Sequence, residues 1–307
     1  MSQETIEQRF EVSGNPQLRL SNIRGSIEIL PGEAAVIEVN AVKHLRSGDQ
    51  ENTEIIIEQE NDNQIVVKTE FDKSLMNWFG LNKPCKVDYK IQVPPDCDLR
   101  VRGISCSISV KNINGIIDIT SVSGRLDLND LSGRIDLGSV SGSIIGLNLS
   151  GNLESNSVSG RIRLMGSEFP TLTIKTVSGS MVVETPLTTG PYMFKAVSGN
   201  ATIIVPENTA CTAETKSVSG RLRTSQPISK DKRYGPKGWV EILGGGPEIT
   251  YKSVSGSLRI VNEEGEKITE RKAAVKVQVD SNNQMEILKK IESGEISVED
   301  ALGEMNS

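Results

Sequence analysis

The stretch that decides the fold is Ser121-Val122-Ser123-Gly124-Arg125-Leu126-Asp127-Leu128, because near-copies of it return between Cys106 and Ile260. Glycines fall at positions 115, 124, 133, 142, 151 and 160, nine residues apart. Most are followed by an x-apolar-x-apolar pattern, as in Ile117 and Ile119, Leu126 and Leu128, Ile135 and Leu137, or Ile162 and Leu164. The Val-Ser-Gly form comes at every second step, at Gly124, Gly142 and Gly160, so the full repeat is eighteen residues and carries two strands.

The register reaches further than the visible motif. Stepping back lands on Cys106 and Cys97; stepping forward with slightly longer coils gives Gly179, Gly199, Cys211 and Gly220. After a polar excursion from about Gln226 to Lys237 it resumes at Gly238 with Val240 and Ile242, and again at Gly256 with Leu258 and Ile260. The valine two residues before each glycine, and the apolar residues two and four after it, share the glycine's parity, so all are expected to point inward. The glycine slot then reads as a tight interior position, which explains Cys97, Cys106 and Cys211 as small buried core residues. Coils stacked about 4.8 Å apart would pair each strand with its equivalent in the next coil, in parallel and in register. The expectation is an all-β fold: a single-stranded parallel β-solenoid, or β-helix. A right-handed coil is expected from the crossover rule, although solenoids of both hands exist.

Residues 1–262 are assigned to this solenoid, with 1–95 as irregular N-terminal coils and cap and 96–262 as regular coils. The N-terminal part shows period-2 strands over Ile6–Val12, Leu18–Leu20, Ala35–Val42, Ile55–Ile57, Ile65–Val67 and Val87–Val93. One insertion, Phe71 to Leu81, holds Leu75, Met76, Trp78 and Phe79. It reads either as a lid over the end of the core or as an apolar contact loop for a membrane surface or partner. Residues 263–283 read as a strand and linker. Over 284–307 the period becomes helical: Ile287, Leu288 and Ile291 share one face, and Ser297 caps a second short helix through Leu302. This helical hairpin is too short to hold a core and is the candidate element for oligomerisation or docking.

Charge and composition narrow the function. A formal net charge of -6 argues against nucleic acid as partner. The N-terminus does not read as a secretory signal and no apolar run is long enough to span a bilayer, so a cytoplasmic location is expected, with a membrane-peripheral position open. Four cysteines without a C-x-x-C pair and a single histidine, His44, give no metal-ligand cluster, and no cofactor motif is present.

The run from Val87-Asp88-Tyr89-Lys90-Ile91-Gln92-Val93-Pro94, through the Val-Ser-Gly steps, to Gly244-Gly245-Gly246-Pro247 and Ser253-Val254-Ser255-Gly256 resembles the bacterial toastrack family of candidate adhesins. The tail from Met285 to Leu302 is similar to a short helical C-terminal domain that accompanies such proteins, where it often precedes the solenoid. The resemblance implies an envelope-stress or membrane-associated role in bacteria and no catalytic residues.

A solenoid can also be an enzyme. The outward positions flanking Val-Ser-Gly, however, offer serines and arginines rather than the paired carboxylates that sugar hydrolysis needs, and His44 lies outside the repeats. The candidate contact face for an acidic protein or anionic headgroups is Arg125, Arg161, Arg163, Arg221, Arg223 and Arg259, opposite a face carrying Asp98, Asp118, Asp136, Glu154, Glu214 and Glu248. The expected function is therefore a non-enzymatic scaffold that binds a protein partner or itself, with a filament-forming solenoid and a carbohydrate-active β-helix as alternatives.

Overall fold

The computed structural model describes residues 2–45, 53–71, 84–234 and 237–262. The chain divides into two compact units, 1–260 and 261–307. The apolar loop residues Leu75, Met76, Trp78 and Phe79, and the tail residues Ile287, Leu288, Ile291 and Leu302, lie outside the described residues.

Twenty-one strands are described, and all are joined by hydrogen bonding into one sheet. The first six are β1 (Ser2–Glu11), β2 (Gln17–Pro31), β3 (Val36–Leu45), β4 (Thr53–Asn61), β5 (Gln64–Phe71) and β6 (Lys86–Val93). The regular coils hold β7 (Asp98–Ser123), β8 (Leu126–Ser141), β9 (Ile144–Leu147), β10 (Ser150–Ser159), β11 (Ile162–Met165), β12 (Leu172–Ser178), β13 (Met181–Glu184), β14 (Tyr192–Ser198) and β15 (Ala201–Ile204). The last six are β16 (Cys211–Ser217), β17 (Leu222–Thr224), β18 (Ile228–Tyr234), β19 (Lys237–Ile242), β20 (Glu248–Ser255) and β21 (Leu258–Val261).

In the middle the eighteen-residue period is literal. Gly115 pairs with Gly133 and Gly133 with Gly151, while Leu126 pairs with Ile108 on one side and Ile144 on the other, all in parallel. Equivalent residues therefore form columns. Ile117, Ile135, Leu153, Leu172, Tyr192 and Ile249 make one buried column, and Ile108, Leu126, Ile144, Ile162, Met181 and Ala201 make another. Each buried Ile or Leu contributes roughly 1.5–3 kcal/mol of apolar burial, so the interior is a repeating stabilising unit. One corner of the coil is turned by Asn112, Asp130 and Asn148, all with φ near +55°, a left-handed conformation that Asn and Asp tolerate best among residues with a Cβ.

The other corner is Val-Ser-Gly, and here the inward expectation for the valine fails. Ser121 is buried, Val122 and Ser123 both face outward, and Leu126 returns to the core. Two consecutive outward residues reset the parity, so the valine does not share the interior with the leucines two and four after the glycine. The glycine is required for a different reason than a tight core. A Cβ on Gly124 would collide with the carbonyl of Cys106 in the preceding coil, and one on Gly142 with the carbonyl of Gly124. The three slot cysteines are nonetheless buried free thiols, and burial pushes Cys97 up to about 12 and Cys106 and Cys211 up to about 11.

Sequence order and spatial order part at both ends. β20 pairs with β14 on one side and β16 on the other, so the last coil is inserted between two earlier ones. The glycine corner reports the same order, since Gly256 packs on Gly199 and Gly220 packs on Gly256. At the N-terminal end β2 lies between β7 and the β5/β6 coil. The ends also break the parallel rule: β1 and β6 flank β3 antiparallel, β4 covers β5, and β19 runs antiparallel to both β16 and β18. The segment from Gly238 to Ile242 is therefore a capping strand and not the next coil of the register. Covering an end with a hairpin blunts an otherwise exposed sheet edge, which a further parallel coil would only move outward.

Candidate interaction surface

The outward valines stack. Pairing of their neighbours places Ile104, Val122, Val140, Val158, Val177, Val197, Val254 and Val218 on successive rungs of one corner. Each is between 44% and 76% exposed. Seven steps of about 4.8 Å make an apolar ridge roughly 34 Å long. Scattered surface apolar residues need no explanation, but eight in one column form a contiguous patch of the kind that marks interaction surfaces.

Beside the C-terminal half of that ridge runs a second column. Lys175 pairs with Lys195, Lys195 with Lys252, and Lys252 with Lys216, which in turn faces Lys237 across the antiparallel edge. Each of the first four stands two residues before a ridge valine and so on the same face of its strand. Lys175 reaches Glu154 at 2.6 Å and Lys216 reaches Glu214 at 2.9 Å. Lys195, Lys252 and Lys237 make no ion pair among the described residues. Two ammonium groups one rung apart repel by about 1 kcal/mol even at the dielectric of water, so the column favours any anionic surface brought against it. Along the other half of the ridge the equivalent positions are Arg102, which is held by Asp118, and the uncharged Thr120, Gly138 and Asn156.

This face escaped the sequence reading for an identifiable reason. The signal was present as Lys-x-Val-Ser-Gly at Lys175, Lys195, Lys216 and Lys252. With the valine assigned inward, however, its lysine partner had no surface to share, and only the inserted coil puts Lys252 between Lys195 and Lys216.

The six expected arginines do not form one site. Arg125 is held by Asp127 at 2.6 Å. Arg223 and Arg259 are register neighbours on β17 and β21, near Arg221. Arg161 and Arg163 are separated from them by β13 and β15, which carry Val182 and Thr202 at the equivalent position. The face expected to be acidic is also locally neutralised. Asp118 pairs with Arg102 at 2.5 Å, Asp136 with Arg134 at 3.1 Å, Glu154 with Lys175 at 2.6 Å and Glu214 with Lys216 at 2.9 Å.

Ser26, His44 and Asp88 come together but not as a catalytic triad. Ser26 Oγ donates to Asp88 Oδ1 at 2.7 Å, His44 Nε2 lies 2.7 Å from Asp88 Oδ2, and Lys86 Nζ donates to that same oxygen at 2.7 Å. The hydroxyl and the imidazole meet the carboxylate, not each other, so no base serves the serine. Burial pushes the Asp88 carboxyl up, but hydrogen bonds from Lys86, Ser26 and His44 outweigh it and hold the group below its usual range. Among the described residues no three His, Cys, Asp or Glu side chains are placed to hold a metal ion, and no helix is long and apolar enough to cross a membrane.

A stack of parallel coils with a continuous outward ridge defines a β-solenoid repeat protein. Residues 17–237 match the model of the Toastrack family, DUF4097, and the chain belongs to that family. Among solved structures it is similar to a candidate adhesin from Bacteroides fragilis, at 14% identity over 84% of this chain and 97% of that one, with a TM-score of 0.40. A candidate lipid-binding protein from Parabacteroides distasonis is 12% identical over 84% of this chain and 96% of that one, with a TM-score of 0.35. No functionally curated protein matches.

Proposed function

We propose that this chain is a non-enzymatic interaction scaffold that lies against an anionic lipid surface through the valine ridge and the lysine column beside it. The observation that carries the reading is the coincidence of the two columns on successive rungs, with Lys175, Lys195, Lys252 and Lys216 each two residues from Val177, Val197, Val254 and Val218.

Magnitudes favour a lipid surface over a second copy of the chain. A ridge roughly 34 Å long and about 10 Å wide presents on the order of 340 Å², well under the roughly 800 Å² per partner of a stable protein interface. A membrane needs no matching surface. Each lysine near an anionic leaflet adds about 1 kcal/mol, so the two ridge lysines outside ion pairs, Lys195 and Lys252, supply about 2 kcal/mol, and the ridge valines supply apolar anchoring at headgroup depth. A role in bacterial envelope stress on the cytoplasmic side of the membrane is part of the same proposal.

Co-sedimentation with vesicles tests it. Vesicles with about one-third phosphatidylserine should bind the full chain, and neutral phosphatidylcholine vesicles should not. Lys195→Glu with Lys252→Glu removes two cations and adds two anions, so binding should fall at least thirtyfold, matching a loss of about 2 kcal/mol or more at about 1 kcal/mol per charge. Equal sedimentation with both vesicle types, or an unaffected double variant, would overturn the reading.

A further inference from the structure

The two ends of the solenoid are not closed to the same degree. At the N-terminal end both half-coils are covered, because β4 pairs with β5 and β3 pairs with β6. At the C-terminal end β19 covers β16, but β17 pairs with β21 alone among the described strands. The carbonyl of Arg221 accepts from Leu258 and the amide of Ser225 donates to Ile260, both on the β21 side. In a parallel ladder successive residues direct their backbone groups to alternate sides, so the N–H and C=O of Leu222 and Thr224 face the open edge.

Beyond that edge lies a cavity of about 620 Å³ bounded by Gly220–Thr224, Ile228 and the start of β19. Its volume falls within the range of about 300–1,000 Å³ typical of ligand sites. Its charge is one-sided: Arg221, Arg223 and Lys237 line it, with Trp239 in the wall, and among the described residues no carboxylate does. Arg221 and Arg223 are exposed and two residues apart, hence on one face, while Leu222 between them is half-buried and stands on the interior column above Leu258.

We propose that this slot is a binding site for an extended acidic segment of a partner protein, which adds as a parallel strand to the free edge of β17. The geometry specifies the segment. Each outward residue of an added strand stacks on the outward residue below it, so carboxylates two residues apart meet Arg221 and Arg223, where charge-assisted hydrogen bonds to guanidinium give both strength and orientation. The residue between them points inward and covers Leu222, so it is apolar. The pattern taken is acid-apolar-acid, and its backbone pairs with Leu222 and Thr224 as in other strand-addition complexes. This site is separate from the valine ridge and does not depend on lipid contact.

The test uses the full chain and a capped octapeptide alternating glutamate and valine, with fluorescence anisotropy as readout. Two control peptides replace glutamate by lysine or carry N-methyl groups at every second residue. The glutamate peptide is expected to bind at least tenfold more tightly than either control. Arg221→Glu with Arg223→Glu should abolish the preference. Thr224→Pro removes an edge-facing donor without touching the β21 ladder and should weaken binding at least tenfold. Equal binding of the glutamate and lysine peptides, or of the N-methylated peptide, overturns the proposal even if Thr224→Pro fails to fold. Absence of binding by the wild-type chain overturns it as well.

Discussion

The middle coils and the terminal coils are made of the same strand-corner-strand units, yet they obey different rules. Between Asp98 and Ser178 each coil pairs with the one before it in the chain, and the glycine corners repeat with little change. At the ends the chain lays down an outer, antiparallel cover and a coil fits out of order between cover and middle: β2 at one end, β20 and β21 at the other. The difference shows what each part has to solve. A middle coil needs only to match its neighbours, so a short repeat suffices; a terminal coil must also stop the sheet from growing, and a hairpin does this where another parallel coil cannot.

The sharpest way to test the rule of the middle is at a corner glycine. A Cβ on Gly142 would overlap the backbone carbonyl of Gly124, a contact relieved only by separating two coils. Gly244, in the loop before β20, has a φ of +88° and open space around it. Gly142→Ala should therefore lower stability by about 4 kcal/mol, in the range reserved for severe steric mechanisms, and Gly244→Ala by only about 1 kcal/mol for its backbone conformation. Urea denaturation of the two variants reads the contrast directly. Similar shifts of the midpoint would mean that stacking at the corner is looser than the columns imply.

The out-of-order coil gives a second, somewhat smaller effect. Ile249 is fully buried and sits between Tyr192 and Ala213, which belong to consecutive coils of the chain and are both distant from it in sequence. Ile249→Ala should cost about 2–5 kcal/mol, as truncation of a buried aliphatic side chain does. The position of the loss is the more informative part. Hydrogen exchange should accelerate in both Tyr192–Ser198 and Cys211–Ser217, whereas Ile135→Ala in the middle should act on β7 and β10, its neighbours in chain order. Exchange that rises only in Cys211–Ser217 would show that β20 is not intercalated.

These contrasts also explain what could be read from the sequence. The glycine step located the coils, their length and their interior columns from Ile108 to Leu222 and again at Leu258 and Ile260, because a period shared by backbone and side chain leaves a direct trace; at Gly238 it took the capping strand for a coil. The valine's direction was not legible, since strand parity holds only within a strand and the corner at Val122 and Ser123 resets it. Nor was the place of β20. Ser253-Val254-Ser255-Gly256 fits the slot after Gly220 as well as the slot before it, and only pairing chooses between them. The interaction surface depended on both of these points, so Lys-x-Val-Ser-Gly was visible as text while its meaning was not.

The smallest effect probes the capped N-terminal end, where Asp88 on β6 ties Ser26 of β2 to His44 of β3. Its carboxyl is held below the usual range, so the native state favours the ionised form more than the unfolded chain does. The stabilisation is then fully present above about pH 4, the ordinary carboxylate value, and is lost as pH falls through the lower folded value. Asp88→Asn should melt below the wild type at pH 7, and the gap should narrow as pH drops towards 3. A middle pair such as Arg134 with Asp136, 69% and 32% exposed, is screened by solvent, and breaking it should change the melting temperature at pH 7 much less than Asp88→Asn does. A gap that stays constant with pH would assign the Asp88 contribution to its shape in the coil and not to its charge.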